Sequence, residues 1–141
     1  MQLKVKRLTD TAKLPVKNHA TDAGFDIFAN EDITVRTQST IKTGIALEIP
    51  TGYYAEIVGR SGLTSKTSFR VNKGVIDSAY RGEIMIMAET YKTAYTIKQG
   101  DKIAQMILYK LPEFEIEEVD ELSDSERGVR GFGSSDKGAV K

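Results

Sequence analysis

Residues 82–89 read GEIMIMAE. Successive side chains of a strand point to opposite faces, so Ile84 and Ile86 fall on one side and Met85 and Met87 on the other. A sheet solvated on one face alternates apolar with polar residues. This stretch is apolar on both faces. It predicts either a strand at the centre of a sandwich or a strand whose second face meets another subunit. Core packing alone is the simpler of the two.

The same period of two continues outward from this strand. QLKVKRL near the start sets Leu3 and Val5 against lysines. GFDIFA, ITVRT, TIKTGIALEI, YYAEIVG, AYTIK, KIAQMILYKL and EFEIEEV follow the same habit. They are short, rich in Ile, Val, Tyr and Thr, and separated by turn residues. Pro50 and Gly52 in IPTGYY, and KQGD at 98–101, predict hairpin turns. The best helical stretch is SGLTSK at 61–66, one or two turns long. Eight or more short strands in 141 residues predict an all-β sandwich or barrel in a single domain.

Lys plus Arg number 20 and Asp plus Glu number 20, so the chain lacks the basic excess that nucleic-acid binding requires. A small phosphorylated ligand needs only a local cluster and stays open. The absence of cysteine removes disulfides and Cys-built zinc sites. No apolar run approaches the roughly 18 residues of a membrane span, and no signal-like segment opens the chain. The expectation is a cytoplasmic protein, bacterial or viral, with no membrane partner. Composition changes near Leu122, where SDSERGVRGFGSSDKGAVK begins. That boundary divides a β core at 1–122 from a flexible, glycine-rich C-terminal arm at 123–141.

Four stretches carry residue types suited to chemistry. In VGRSGLTSK (58–66), Arg60 offers forked donors, Ser61 a hydroxyl and Gly62 an open N–H at a helix start. Together they suit a phosphate, although an ordinary capped turn fits the same residues. In NKGVIDSAYRGEI (72–84), Gly74 allows close backbone approach, and Asp77 ends the apolar run Val75–Ile76. A carboxylate there suits a general base, with Tyr80 able to lie against a sugar. The plainer reading is a turn capped by Asp77. In GDKIAQMILYKL (100–111), Gln105 is polar within an apolar strand, so backbone or ligand must pair it. Asp26 interrupts AGFDIFA (23–29) in the same way, and with Asp22 it suits an arginine, a water or a phosphate-held metal. His19, the single histidine, reads as a loop residue.

Five of these patterns stand in one order: AGFDI (23–27), GRSGL (59–63), GVIDSAYRGE (74–83), GDKIAQMI (100–107) and RGVRGFGSS (127–135). In this order the chain resembles the trimeric deoxyuridine triphosphatase family from residue 3 to the arm. The resemblance implies a distorted β-barrel or jelly roll, a homotrimer with shared active sites, and Mg²⁺-dependent hydrolysis of dUTP to dUMP and pyrophosphate. It implies that Asp77 activates the water attacking the α-phosphorus and that Tyr80 packs on the deoxyribose. It gives the backbone of Gly74, Val75 and Ile76 to the uracil edge. Phosphates fall to Arg60, Ser61, Gly62 and Gln105, with Asp26 as a supporting acid. Mg²⁺ would be held mainly by phosphates and water. In the arm, Arg127 would contact phosphate, Phe132 stack on uracil, and Gly133, Ser134 and Ser135 help close on the γ-phosphate. Arg130, Ser135, Asp136 and Ala79 depart from the commonest family pattern. A non-enzymatic sandwich, a nucleotide-binding regulator and a dCTP deaminase using Glu83 are the competing readings.

Overall fold

The computed structural model describes residues 1–133. Among them lie ten strands and one short helix. Sheet I has the order β1 (Lys4–Arg7), β4 (Ser39–Glu48), β8 (Glu83–Thr90), β6 (Phe69–Val71). Sheet II has the order β2 (Phe25–Phe28), β10 (Lys102–Lys110), β5 (Tyr53–Val58), β7 (Gly74–Ile76). A third pair joins β3 (Ile33–Val35) to β9 (Tyr95–Ile97). All pairings are antiparallel. The fold is all-β, as the alternation predicts, and a jelly roll, as the resemblance implies.

No strand pairs with its neighbour in sequence. The two turns expected from the sequence are present. Tyr53 N–H donates to Pro50 C=O at 3.1 Å, and Asp101 N–H donates to Lys98 C=O at 2.9 Å. Gly52 supplies the positive φ of 92° that the first turn demands. Neither turn closes a hairpin, however. The first leads from sheet I to sheet II, and the second from the β3–β9 pair to sheet II. Turn chemistry is local, whereas strand pairing depends on which layer each strand joins.

The core lies between the layers and is built largely of isoleucine. Ile41, Ile45, Ile57, Ile84, Ile86 and Ile103 are all buried with Phe69 and Met106. β-branched side chains lose little χ1 freedom on a pleated surface, which suits them to this role. Thr43, a buried hydroxyl among them, donates to the Ile84 carbonyl. Ile84, Ile86 and Ala88 of β8 point into this core. Met85 and Met87 point away from it and line a cleft.

EFEIEEV does not form a strand. Beyond Lys110 the described chain has no regular element, and Phe114 and Ile116 are almost fully exposed. Alternation provides two faces but cannot provide an edge to pair with. No such edge meets the segment among the described residues.

Candidate functional site

Two clefts gather the residues singled out above, and the two share no lining residue. The first, about 260 Å³, is lined by Asn18, Asp22, Gly24, Asp26, Arg60, Ser61, Gly62 and Gln105, together with Ala23. Register explains how distant segments meet here. Gln105 of β10 stands opposite Asp26 of β2 on one side and Val58 of β5 on the other. Arg60 follows β5 by two residues and is the N-cap of α1 (Ser61–Lys66), with extended φ and ψ and no side-chain cap bond. The first helical amide to find an internal partner is Thr64 N–H, on Arg60 C=O at 3.0 Å. The N–H groups of Ser61 and Gly62 therefore stay outside the helix ladder, on the wall of the cleft.

Charges in this cleft are tied together. Arg60 Nε donates to Asp26 Oδ1 at 3.1 Å, and Lys102 Nζ sits 3.2 Å from Asp26 Oδ2. Gln105 Nε2 donates to Gly59 C=O at 2.9 Å, so the backbone is the partner that this polar residue required. Gly24 leaves room for it, since a Cβ there would collide with the Gln105 carboxamide. His19 lies in the neighbouring loop, exposed, with Nδ1 3.6 Å from Asp22.

The second cleft, about 310 Å³, has a mostly apolar wall. Ile57, Gly74, Val75, Ile76, Met85 and Met87 line it, with Thr40, Asp77, Tyr80 and Glu83 at its polar points. It opens where the chain leaves β6, at the edge of sheet I, and enters β7, at the edge of sheet II. Because β7 is an edge strand, backbone groups on its outer side have no ladder partner. Asp77 opens a turn in which its carbonyl accepts the Tyr80 N–H at 3.1 Å. The capping alternative required the Asp77 carboxylate to accept backbone N–H groups. The structure shows no such bond among the described residues. Tyr80 Oη donates to Glu83 C=O at 3.0 Å. Gly82 makes that position possible, because a Cβ at 82 would fall on the Tyr80 hydroxyl. The Glu83 carboxylate accepts Gly44 N–H at 2.8 Å, which occupies the group that a deaminase reading needs.

The two clefts lie far apart within one chain. Ile76 pairs with Ala55, which sets Asp77 level with Tyr54. Arg60 lies six residues further along the same extended path. At roughly 3.3 Å per residue, a straight extended run of that length would span about 20 Å.

The dUTPase family pattern matches residues 10–136. The chain belongs to the dUTPase family. A deoxyuridine 5'-triphosphate nucleotidohydrolase of Clostridioides difficile is 45% identical over 138 residues, covering 94% of this chain and 96% of that protein. The dUTPase of Staphylococcus bacteriophage 80alpha, solved with dUPNHPP, superposes with a TM-score of 0.89 at 33% identity, covering 94% of this chain and 97% of that one. A mutant dUTPase from phage phi11 of S. aureus, described for its coordination of a structural Mg(II) ion, gives 0.80 at 30% identity, covering 86% and 98%.

The described part of the arm, to Gly133, lines neither cleft. Arg127 Nε donates to Arg130 C=O at 2.7 Å, and Arg130 Nε donates back to Arg127 C=O at 3.0 Å. Phe132 is fully exposed on a left-handed backbone, φ 54°, with Gly133 following it. Ser134, Ser135 and Asp136 lie outside the described residues. Sequence reasoning missed Asn18 and Lys102 near the first cleft, and Thr40 in the second. The outward apolar face of GEIMIMAE was a readable signal for Met85 and Met87. Lys102 had no such signal, because a bulge between Lys102 and Ala104 shifts the alternation.

Proposed function

We propose that this chain, a dUTP diphosphatase by its family, hydrolyses dUTP at sites shared between the subunits of a homotrimer. The observation carrying the proposal is the separation of Arg60 from Asp77. Phosphate-binding groups and the general base must meet on one triphosphate, yet in a single chain they line separate clefts with no residue in common. A neighbouring copy that brings its own phosphate seat to this chain's nucleoside cleft removes the conflict.

In that arrangement the uracil edge meets the free backbone side of Gly74, Val75 and Ile76, and Met85 and Met87 floor the pocket. Tyr80, fixed through its hydroxyl, lies against the deoxyribose and leaves no space for a 2′-hydroxyl. The Asp77 carboxylate accepts a proton from water as that water's oxygen bonds to the α-phosphorus. The bond from the α-phosphorus to the α–β bridging oxygen breaks, and pyrophosphate leaves with that oxygen. Arg60, Ser61, Gly62 and Gln105 of the neighbour hold the phosphates, and Asp26 steadies Arg60. Arg127, Phe132 and Gly133, with Ser134 and Ser135, close over the ligand. The core at 1–122 and the arm at 123–141 thus divide binding from closure.

Mg²⁺ would bind by way of the ligand. The described residues contain no cluster of three or more His, Asp or Glu able to hold a metal, and both Asp26 oxygens already face cations. Phosphate oxygens and water suit Mg²⁺, which keeps much of its hydration shell. When bound it supplies charge neutralisation of the triphosphate. No helix among the described residues is long and apolar enough to cross a membrane, and we place the protein in a cytoplasm.

Pyrophosphate and dUMP formation from dUTP, followed by ³¹P NMR, tests the reaction. Stoichiometric release of both, with no ammonia from dCTP, is expected. Binding of dUTP without turnover would favour the regulator reading.

A further inference from the structure

We infer that Lys102 is a positioning residue of the phosphate seat, which keeps the Arg60 guanidinium available to phosphate by occupying the second oxygen of Asp26. The inference rests on the dUTP reading above. Arginine and a carboxylate ordinarily lock as a two-bond fork, with Nε and one Nη each meeting an oxygen. Here the fork is half made. Arg60 gives only Nε, to Oδ1, while Lys102 Nζ holds Oδ2 at 3.2 Å. The Asp26 side chain is only 14% exposed, so both pairs are partly shielded from water. Lys102 is held from its other side as well, its ammonium 3.5 Å from Asn18 Oδ1.

Two consequences follow for the cleft. First, the Nη groups of Arg60 are not spent on Asp26 and remain available to a ligand in the cleft that Arg60 lines. Second, two cations against Asp26 leave one positive charge in the cluster, whereas Arg60 and Asp26 alone would cancel. Asp22, the other carboxylate of the wall, accepts His19 N–H at 3.0 Å rather than joining the cluster. The bulge at Lys102/Ala104 is what delivers the ammonium. It turns both Ile103 and Ala104 inward, so Lys102 and Gln105 reach the same side of β10.

The test measures affinity for dUPNHPP by calorimetry and for deoxyuridine, which carries no phosphate, by NMR titration. Four proteins are compared with wild type: Lys102→Met, Lys102→Arg, Asp26→Asn and the Asp26→Asn/Lys102→Met double variant. Lys102→Met should bind dUPNHPP about tenfold more weakly, the effect of one modest charge-assisted bond, and bind deoxyuridine unchanged. Lys102→Arg should restore most of the loss, since it still places a cation on Oδ2. With Asp26 already neutralised, removing Lys102 should cost much less, because no carboxylate then competes for Arg60. Equal losses in both backgrounds would mean that Lys102 attracts phosphate independently, and the inference fails. It fails too if Lys102→Met binds dUPNHPP as wild type does, or if deoxyuridine binding falls in parallel. Wild-type protein that binds no dUPNHPP would overturn the functional reading itself, a result distinct from these.

Discussion

At the β2 edge of sheet II the polar groups are already paired with one another: Arg60 and Lys102 on Asp26, and Gln105 on Gly59. At the β7 edge of the same sheet the wall is mostly apolar, and the Asp77 carboxylate has no hydrogen bond among the described residues. On the proposed function, the difference follows from what each edge would hold. A triphosphate is charged before and after reaction, so its seat needs cations held in place by partners. A base and sugar need an apolar slot with few fixed contacts, and a general base must keep its lone pair open to water. If the proposed function holds, neither edge is a complete site. On the proposed reading each is half of one, and within a chain the two lie toward opposite edges of sheet II.

The largest effect expected from testing this contrast is at the β7 edge. Asp77→Asn keeps size and removes the base, so kcat should fall by about 10²–10⁴-fold. Melting temperature should hardly move, since the carboxylate supports no fold contact. Wild-type kcat in this variant would remove Asp77 from the mechanism.

The second experiment joins the two edges. Arg60→Ala and Asp77→Asn should each be nearly inactive alone. Mixed one to one with subunit exchange, random assortment places an intact seat beside an intact cleft at about a quarter of sites, so activity should return to about that level. Mixing without recovery, or an active monomer in sedimentation, would break the shared-site reading.

The arm comes next in size. Phe132 is fully exposed and buries no apolar surface in the chain alone. If it stacks on the base, Phe132→Ala loses about 1–3 kcal/mol of binding, by analogy with other base–aromatic contacts. Deleting residues 126–141 should lower kcat further while leaving the unfolding transition intact, since the deletion removes none of the described strands. Equal kcat for full-length and shortened protein would make the arm a passenger.

The smallest effect sharpens the cleft alone. Gly82→Ala should push the Tyr80 ring from its place and break its bond to Glu83 C=O. The ratio of kcat/KM for dUTP over UTP should then fall several-fold, on the order of one modest hydrogen bond. Tyr80→Ala should narrow the same ratio more. An unchanged ratio in both would assign ribose exclusion to another group.

Much of this was legible in the chain. Alternation is a local property of strands, so the β class and the two-faced nature of 82–89 were readable without a partner in view. The residue types of the first cleft were readable too, because a fork of donors beside a small hydroxyl and a glycine suits phosphate wherever it folds. EFEIEEV shows the limit, since the same alternation formed no strand where no edge was on offer. The turns at Pro50 and Lys98 show it again. Their φ demands were visible in the glycines, but the layer joined by the next strand was not.

By itself, then, the sequence determined the β class, most of the strands, the two turns and the residue types suited to base, sugar and phosphate, since each depends on neighbours a few residues away. The tertiary structure alone decided which of those groups share a cleft. Lys102 reaches Asp26 only because a bulge adds one residue to β10, and no periodic pattern announces an interruption of itself. Arg60 and Asp77 come to lie on separate clefts only because β7 pairs antiparallel to β5 with Ile76 opposite Ala55. Strand order and register are set by contacts between residues remote in the chain, where burial of the isoleucine core outweighs any local preference.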